Sequence, residues 1–548
     1  MVSAPLFRVV TYQFRRHMAR VAYNSLLYGW SLSGDIPRAL ALKPADLWPG
    51  DAEKGRSLIH GGIFILNGDQ IELHNANWHP EGVSAAWIIH LHGFDWLRDL
   101  RALGGDQGRM AARAMIENWM DHHHGWHELY WRPDILGRRI ASWLVAYDFF
   151  GESASPEFQE RVLLSLSRQV RHLARAVPGA LSGVNLLHAL RGLLFAGVAL
   201  DGRENALEQA LNILDREIDR QVFKDGGSVT RNPSDLLEIL KILIDFRATL
   251  RQAGYPPIEK IQSAIDRIVP ALRFFRHGDG AFALFNGTQE SDDALIKYVL
   301  LQSGSRARTI YSLPLTGYER VAQGKTLMIM DTGRAPAYPH DAYAHCAPLA
   351  MEFSYGRDRV FVNCGTHPTH IEWKDALRAT PAHTALTIDD RNVCEIHRDG
   401  SLARKPKKVL VNREEKNSGV LVDACHDGYL PLNGITHRRR VYVGDQGHDI
   451  RGEDNLTCSV GLGRTHDISV RFHLHPRVTA SLVNEGREVL LRLHGGTGWR
   501  VSCEGATLSL DDSIYLGEGS RPRKTKQIVL RTRMESDFTQ VKWVCQKE

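Results

Sequence analysis

The sequence predicts a multidomain fold, an all-helical N-terminal part followed by an all-β C-terminal part, and three observations carry that reading. From about Pro5 to Tyr298 the apolar residues recur at three- and four-residue spacing. After about Gly317 the pattern gives way to short β-rich runs bounded by turn residues. The 548 residues also exceed what one hydrophobic core organises, so at least two domains are expected. Helices first and strands after, with no βα alternation, exclude a parallel-sheet fold.

In the first part the periodicity predicts helices over Gln107–His122, Leu136–Phe150, Pro156–Ala176, Val184–Leu200, Leu207–Phe223, Ser234–Gln252 and Ile258–Arg276. In the second it predicts strands at Lys325–Met330, Leu349–Tyr355, Arg359–Asn363, Thr384–Ile388, Lys408–Asn412 and Val489–Leu493. Turn signals at Gly444-Asp445-Gln446-Gly447 and Asn484-Glu485-Gly486 mark antiparallel connections. The polar stretch from Gln302 to Arg306 reads as the linker, which gives domains at 1–310 and 311–548.

A composition of 43% hydrophobic and 24% charged residues is that of an ordered globular chain. The net charge of +5 is too small a bias to indicate a nucleic-acid binder. It suits an anionic substrate and an ordinary mildly basic protein equally. Seven cysteines, all between Cys346 and Cys545 with no CxxC pair, read as reduced thiols in a reducing compartment. Met1–Ala19 carries Arg8, Arg15 and Arg16 with no unbroken apolar core, so no secretion signal is expected. No run of about 18 apolar residues occurs, so no membrane span is expected either. The expected location is cytoplasmic.

Several segments are informative in their order. The helical part holds Trp131-Arg132-Pro133-Asp134 running into Gly137-Arg138-Arg139, Asn185-Leu186-Leu187 leading to Gly192 through Gly197, and Asp225-Gly226-Gly227 before Arg231-Asn232-Pro233. The strand part continues with His345-Cys346-Ala347-Pro348-Leu349, Asn363-Cys364-Gly365-Thr366, Arg378 through His383, His426-Asp427-Gly428-Tyr429 and His473-Leu474-His475-Pro476. In this order the chain resembles the heparinase II/III-like family from about Trp48 to beyond Tyr515. The resemblance implies an incomplete (α/α) toroid followed by an antiparallel β-sandwich. It also implies β-elimination at the uronic acids of an acidic polysaccharide or oligosaccharide.

Elimination removes the C5 proton of a uronic acid, which is hardly acidic while the neighbouring carboxylate keeps its charge. Donors must neutralise that charge, a base must take the proton, and an acid must protonate the leaving oxygen. Asn185 matches, within one position, the family's asparagine that faces the substrate carboxylate; its bland alternative is a helix N-cap. His188, three residues on, shares that helix face or is a buried core histidine. His345 matches the family's histidine at a strand entry, as base or as the base's orienting partner, against a strand-end histidine bonded to backbone. Arg231, Arg378 and His383 lie in matched segments and either bind substrate or brace the fold. His92, Trp131 and Arg138 are candidates to line a sugar cleft, Arg138 by bidentate pairing; tryptophans such as Trp96 and Trp131 are more often core.

The chain departs from the family after Asn232-Pro233, where the lyases carry their catalytic tyrosine and this sequence reads Ser234, Asp235, Leu236. An ionised Asp235 accepts but does not donate and repels a polyuronide, so Tyr343 and Tyr429 become the candidate acids. Some family members hold a structural zinc near the positions of Ala347, Asn363 and His383, of which only His383 is a good ligand, and no metal or other cofactor is expected. The run His122-His123-His124 with His127 reads as a solvated or cleft-lining face. Two functions follow: a lyase of uronic-acid glycans, or an acidic-glycan-binding protein on the same scaffold that has lost the chemistry. Neither reading involves nucleic acid or membrane, and the sequence is silent on oligomeric state.

Overall fold

The apolar periodicity of the N-terminal part resolves into helices in the computed structural model, which describes residues 20–73, 77–366, 369 and 371–548. The charged stretch Met1–Ala19 therefore lies outside the described residues. The chain divides into two compact units. The first comprises Met1–Glu217 with Ile242–Glu259, and the second Ile218–Lys241 with Lys260–Glu548.

The first unit holds α1 (Leu26–Ser31), α2 (Ala52–Gly61), the hairpin β1 (Ile63–Leu66) and β2 (Asp69–Glu72), α3 (Ala85–Gly93), α4 (Leu97–Leu103), α5 (Gly105–His123), α6 (Pro133–Val145), α7 (Tyr147–Phe150), α8 (Pro156–Ala176) and α9 (Gly183–Ala199). Local signals set these ends. Ser155 caps α8, its hydroxyl accepting the Phe158 N–H, and Pro156 takes the first helical position, where a missing N–H is harmless. α9 is buried on nearly every side, as a helix apolar all round must be. It approaches α6 at two glycines: a Cβ on Gly192 would fall 2.5 Å from the Gly137 Cα, and one on Gly137 would fall 2.2 Å from the His188 carbonyl oxygen. That close approach is why the Gly137 and Gly192 motifs contain glycine.

α10 (Glu204–Gln221) and α11 (Pro233–Gln252) run through the division between the units, and α12 (Glu259–Phe274) and α13 (Asp293–Ser303) group with the strands. Within the second unit a staple ties the α10–α11 connection to the chain at 315–316. The Asp225 carboxylate accepts the backbone N–H groups of Leu315 (2.7 Å) and Thr316 (2.8 Å) and the Thr316 hydroxyl (2.8 Å). Gly226 lies against the Arg267 carbonyl, where a Cβ would come within 1.9 Å.

The strands of the second unit form two antiparallel sheets. They are β3 (Ser312–Leu313), β4 (Tyr318–Gln323), β5 (Thr326–Asp331), β6 (Met351–Tyr355), β7 (Asp358–Val362), β8 (Leu386–Ile388), β9 (Val409–Lys416), β10 (Gly419–His426), β11 (Ile435–Gly444), β12 (Asp449–Cys458), β13 (His466–Leu474), β14 (Thr479–Val483), β15 (Glu488–Arg492), β16 (Gly498–Glu504), β17 (Thr507–Tyr515), β18 (Arg523–Met534) and β19 (Phe538–Lys547). One sheet runs β14-β15-β16-β19-β12-β11-β10-β9; the other runs β17-β18-β13-β7-β6-β5-β4-β3, with β8 added on β13. The Gly444–Gly447 signal joins β11 to β12, and Asn484–Gly486 joins β14 to β15. A single core drawn from both sheets includes Met328, Phe353, Phe472, Trp499 and Trp543. One charged cluster sits inside it: the Arg439 guanidinium and the His437 ring both bond the Asp454 carboxylate at 2.7 Å, and the Trp543 indole donates to the same group at 3.1 Å. A buried charge is tolerable only when paired and bonded in this way.

All seven cysteines are free thiols. Among the described residues no helix is long and apolar enough to cross a membrane.

Candidate functional site

In the second unit, three loops meet around His345. The loop after β5 carries Tyr343 and His345, the segment before α11 carries Arg231 and Asn232, and the turn before α13 carries Asn286 and Gly287. The His345 backbone N–H donates to the Asn286 side-chain oxygen (3.0 Å). Its ring nitrogens face two backbone donors, Nδ1 the Asn286 N–H (3.2 Å) and Nε2 the Gly287 N–H (3.0 Å). A neutral imidazole has one lone pair, so it satisfies one of these donors and has no nitrogen turned elsewhere. The ring is 8% exposed, and burial, with the nearby charges of His383, Arg378 and Arg231, holds its pKa well below the usual range. His345 is neutral at physiological pH and engaged by its own backbone neighbours.

Behind it, Asn286 donates to the Arg231 carbonyl (3.1 Å) and the Tyr318 hydroxyl (2.6 Å). Arg231 lies over the Tyr318 ring at 4.5 Å and donates to Thr316 O (2.6 Å), Gly317 O (2.8 Å) and the Asp331 carboxylate (2.6 Å). Asn232 caps α11, its side-chain oxygen accepting the Ser234 (2.7 Å) and Asp235 (3.2 Å) N–H groups and the Thr288 hydroxyl (2.7 Å). Asp235 follows in the first turn, where helix dipole and charge agree, yet burial pushes its carboxyl up to about 6.

The other expected residues of this unit fall into two groups. Arg378 is buried and donates to the carbonyls of Ala344 (2.9 Å) and Asp341 (3.0 Å), so it braces the loop that bears Tyr343 and His345. His383 is fully buried, its ring 4.2 Å from that of His345 and its Nδ1 donating to Ala379 O (2.8 Å); burial lowers its pKa to about 4. Tyr429 is buried in the sandwich with its hydroxyl on the carbonyls of Leu386 (3.2 Å) and Arg391 (3.1 Å). As substrate contacts or acids, Arg231, Arg378, His383 and Tyr429 are therefore corrected: their donors are committed inside the fold. Tyr343 differs. It is 55% exposed, lies against Gly287, and carries the Lys374 ammonium 4.5 Å from its ring centroid.

In the first unit, Asn185 stands exposed in the first turn of α9, and the N-cap is Ser182. His188 is fully buried on the same helix. His92 is also corrected as a cleft residue, because its Nε2 meets Trp78 O (3.0 Å), its Nδ1 accepts the Trp119 indole (3.0 Å), and burial lowers its pKa to about 2. Trp131 is 2% exposed with its indole donating to His123 O (3.3 Å), a core residue. Arg138 keeps part of its side chain at the surface and pairs with Asp95 at 3.4 Å. Of the histidine run, His122 and His123 turn back onto the carbonyls of Asn118 and Trp119, and His127 stacks on Tyr130 at 4.2 Å.

The residues at the zinc positions do not fit a metal. Ala347 offers no donor, and the Asn363 amide donates to Leu284 O (3.3 Å) while accepting the Thr384 N–H (3.2 Å). Among the described residues no group of three or more His, Cys, Asp or Glu side chains could hold a metal ion. Asn286, Gly287, Tyr318 and Asp331 escaped the sequence reading. The Asn286-Gly287 dipeptide is a turn signal that marks the segment, although not its partner.

Residues 305–544 match the family described as heparinase II/III-like, C-terminal. The FtsZ-localized protein C of Caulobacter vibrioides is 29% identical over 98% of this chain and 95% of its own length. Among solved structures, heparinase III superposes with a TM-score of 0.73 at 16% identity, covering 100% of this chain and 92% of that one. The heparan sulfate lyase HepC of Pedobacter heparinus gives 0.61 at 16% identity, over 100% and 91%. The chondroitin AC lyase of Streptomyces coelicolor A3 gives 0.57 at 11% identity, over 96% and 80%. At these identities the solved structures establish the fold, a helical toroid followed by an antiparallel β-sandwich.

Proposed function

Residues 305–544 match the heparinase II/III-like C-terminal family, and on that footing we propose that the chain is a member that binds an acidic, uronic-acid-containing glycan without cutting it. The observation that carries this reading is the engagement of His345. A general base needs a lone pair within reach of the substrate proton, and both ring nitrogens here abut backbone N–H groups of Asn286 and Gly287. The acid is altered as well. Ser234, Asp235 and Leu236 stand where the family's tyrosine is expected, and Asp235 ionises near pH 6 into a charge that repels a uronate. Recognition asks less than elimination, and in the second unit the exposed Tyr343 with the Lys374 ammonium over its ring is suited to it.

Calorimetry of the full chain against heparan sulfate and chondroitin sulfate oligosaccharides tests the proposal. Association weakened by Lys374→Ala is expected, and no association with either glycan would overturn it. One observation favours a second reading, a lyase with Tyr343 as acid: this phenol is exposed two residues before His345, with the Lys374 ammonium over its ring.

The name of the Caulobacter relative supports a placement too. We propose that this chain also localises with FtsZ, and in the reducing compartment that its free cysteines suit. A fluorescent fusion that follows FtsZ is the expected result; a distribution indifferent to FtsZ would contradict it.

A further inference from the structure

The second unit holds another concave site, remote in sequence from the His345 loop and built from different elements. Five cationic side chains line a cavity of about 270 Å3: Arg273 and Arg276 at the end of α12, Lys297 on α13, Arg320 on β4 and Arg357 in the β6–β7 turn. Two carboxylates share the lining, Asp279 and Asp293. Both are already paired. Asp279 is held by the buried Arg359 guanidinium at 2.7 Å, and Asp293 by Arg276 at 2.6 Å and by Lys297.

Part of the basic charge has an internal explanation. Arg320 donates to the carbonyls of Phe274 and Arg276, closing the C-terminal end of α12, where a cation also suits the helix dipole. That explanation leaves two guanidiniums over. Among the described residues neither Arg273 nor Arg357 has a hydrogen-bond or ion-pair partner, and the Arg273 Nε is buried without one. Burial, with Arg276 close by, also draws the Arg320 pKa down to about 10, the direction expected where cations crowd together without enough anions.

The floor of the cavity is fixed. Gly278 lies so close to Gly356 that a Cβ on Gly278 would fall 1.8 Å from the Gly356 carbonyl oxygen, so the turn bearing Arg357 is seated on the loop after α12. The size lies just below the range of roughly 300–1,000 Å3 typical of small-molecule pockets, which suits one sugar ring or a single anionic group.

We infer that this cavity is an oxyanion site, with Arg273 and Arg357 as its free donors, that takes a sulfate or phosphate group, either as the inorganic ion or as the substituent of a single sugar. Guanidinium forks match the paired oxygens of such groups, and the pairing is charge-assisted. The site is independent of the glycan reading given above.

Calorimetry of the full chain at low ionic strength, with inorganic sulfate, inorganic phosphate, N-acetylglucosamine 6-sulfate and N-acetylglucosamine, tests the inference. Binding of the three anionic probes and not of N-acetylglucosamine is expected, weakened at least ~10-fold in Arg273→Gln/Arg357→Gln. Tighter binding of N-acetylglucosamine 6-sulfate than of sulfate would identify a sulfated sugar as the natural source; tighter binding of the inorganic ions would identify a free oxyanion. Should the double variant fail to fold, Arg357→Gln alone, at an exposed turn, is expected to weaken binding about 3-fold or more. Absence of binding by all three anions, or affinities unchanged in the variants, would overturn the site. Lys374→Ala, which weakens the glycan association proposed above, is expected to leave this binding intact, which separates failure here from failure of the glycan proposal.

Discussion

Replacing Arg231 by methionine distinguishes a brace from a substrate contact. In the native protein this guanidinium is about 6% exposed and pairs with Asp331, itself 7% exposed, at 2.6 Å. Its remaining donors satisfy the carbonyls of Thr316 and Gly317. Methionine keeps the stem but strands the Asp331 carboxylate, whose other donor is the Gly333 N–H at 3.0 Å, and takes the Arg231 donor from the buried Thr316 carbonyl, while the Gly317 carbonyl keeps the Thr332 N–H at 3.0 Å. Breaking a buried pair from one side costs about 3–5 kcal/mol. Asp331→Asn removes the charge that must be matched. The double variant is therefore expected to fall short of additivity by about 1–3 kcal/mol, the range for residues in direct contact. Urea unfolding of the three variants measures this, with the midpoint of the transition shifting by roughly 1 M or more for Arg231→Met at ordinary slopes. A destabilisation under about 1 kcal/mol, or full additivity, would refute the argument. So would loss of glycan affinity at a temperature where Arg231→Met is fully folded.

Three further expectations follow from the same structure. Because burial raises Asp235 to about 6, its folded form holds a proton that the unfolded chain releases near pH 4; the contribution is present below that pH and is lost as pH rises through about 6. Asp235→Asn is then expected to be more stable than wild type by about 1–3 kcal/mol at pH 7 and level with it near pH 4, and a gap independent of pH would contradict this. Half-buried His90 and buried His172 and His383 are lowered to about 4, so the unfolded chain takes up their protons first and stability falls as pH drops from about 6.5; a melting temperature that is flat between pH 7 and 5 would count against it. Gly192→Val puts side-chain atoms into the Gly137 backbone and is expected to destabilise the helical unit by about 3 kcal/mol or more, read by the loss of helical circular dichroism at lower temperature; tolerance would mean that the two helices separate easily.

The helices were the most legible part because each announces itself locally. Pro156–Ala176 has its cap, its first-position proline and its amphipathic face within one stretch, and the expected and observed limits coincide. Val184–Leu200 is displaced by one residue from Gly183–Ala199, the usual uncertainty at a helix end. Strand starts were less secure: the run expected from Leu349 begins as a strand at Met351, because Leu349 itself takes a positive φ of 60°. The hairpin at Ile63–Leu66 and Asp69–Glu72 was not expected, although Asn67-Gly68 is a strong turn signal, because the helical pattern around it dominates. The site was legible as a set of segments and not as a set of contacts. His345 is recognisable by its motif, but its engagement by Asn286 and Gly287 joins residues about sixty positions apart, and nothing local records that. The same holds for Arg231, whose motif position suggests a ligand and whose partner Asp331 is 100 residues on.

The central claim, recognition without elimination, meets its most direct test in a lyase assay. The purified chain is incubated for hours with heparan sulfate, chondroitin sulfate and an unsulfated polyuronide, and the far-ultraviolet absorbance of the unsaturated product is followed, with heparinase III as the positive control. The engaged His345 ring and the missing tyrosine predict no absorbance above the protein-free control on any of the three. New absorbance that disappears in His345→Ala would contradict the account, and its further loss in Tyr343→Phe would identify the acid.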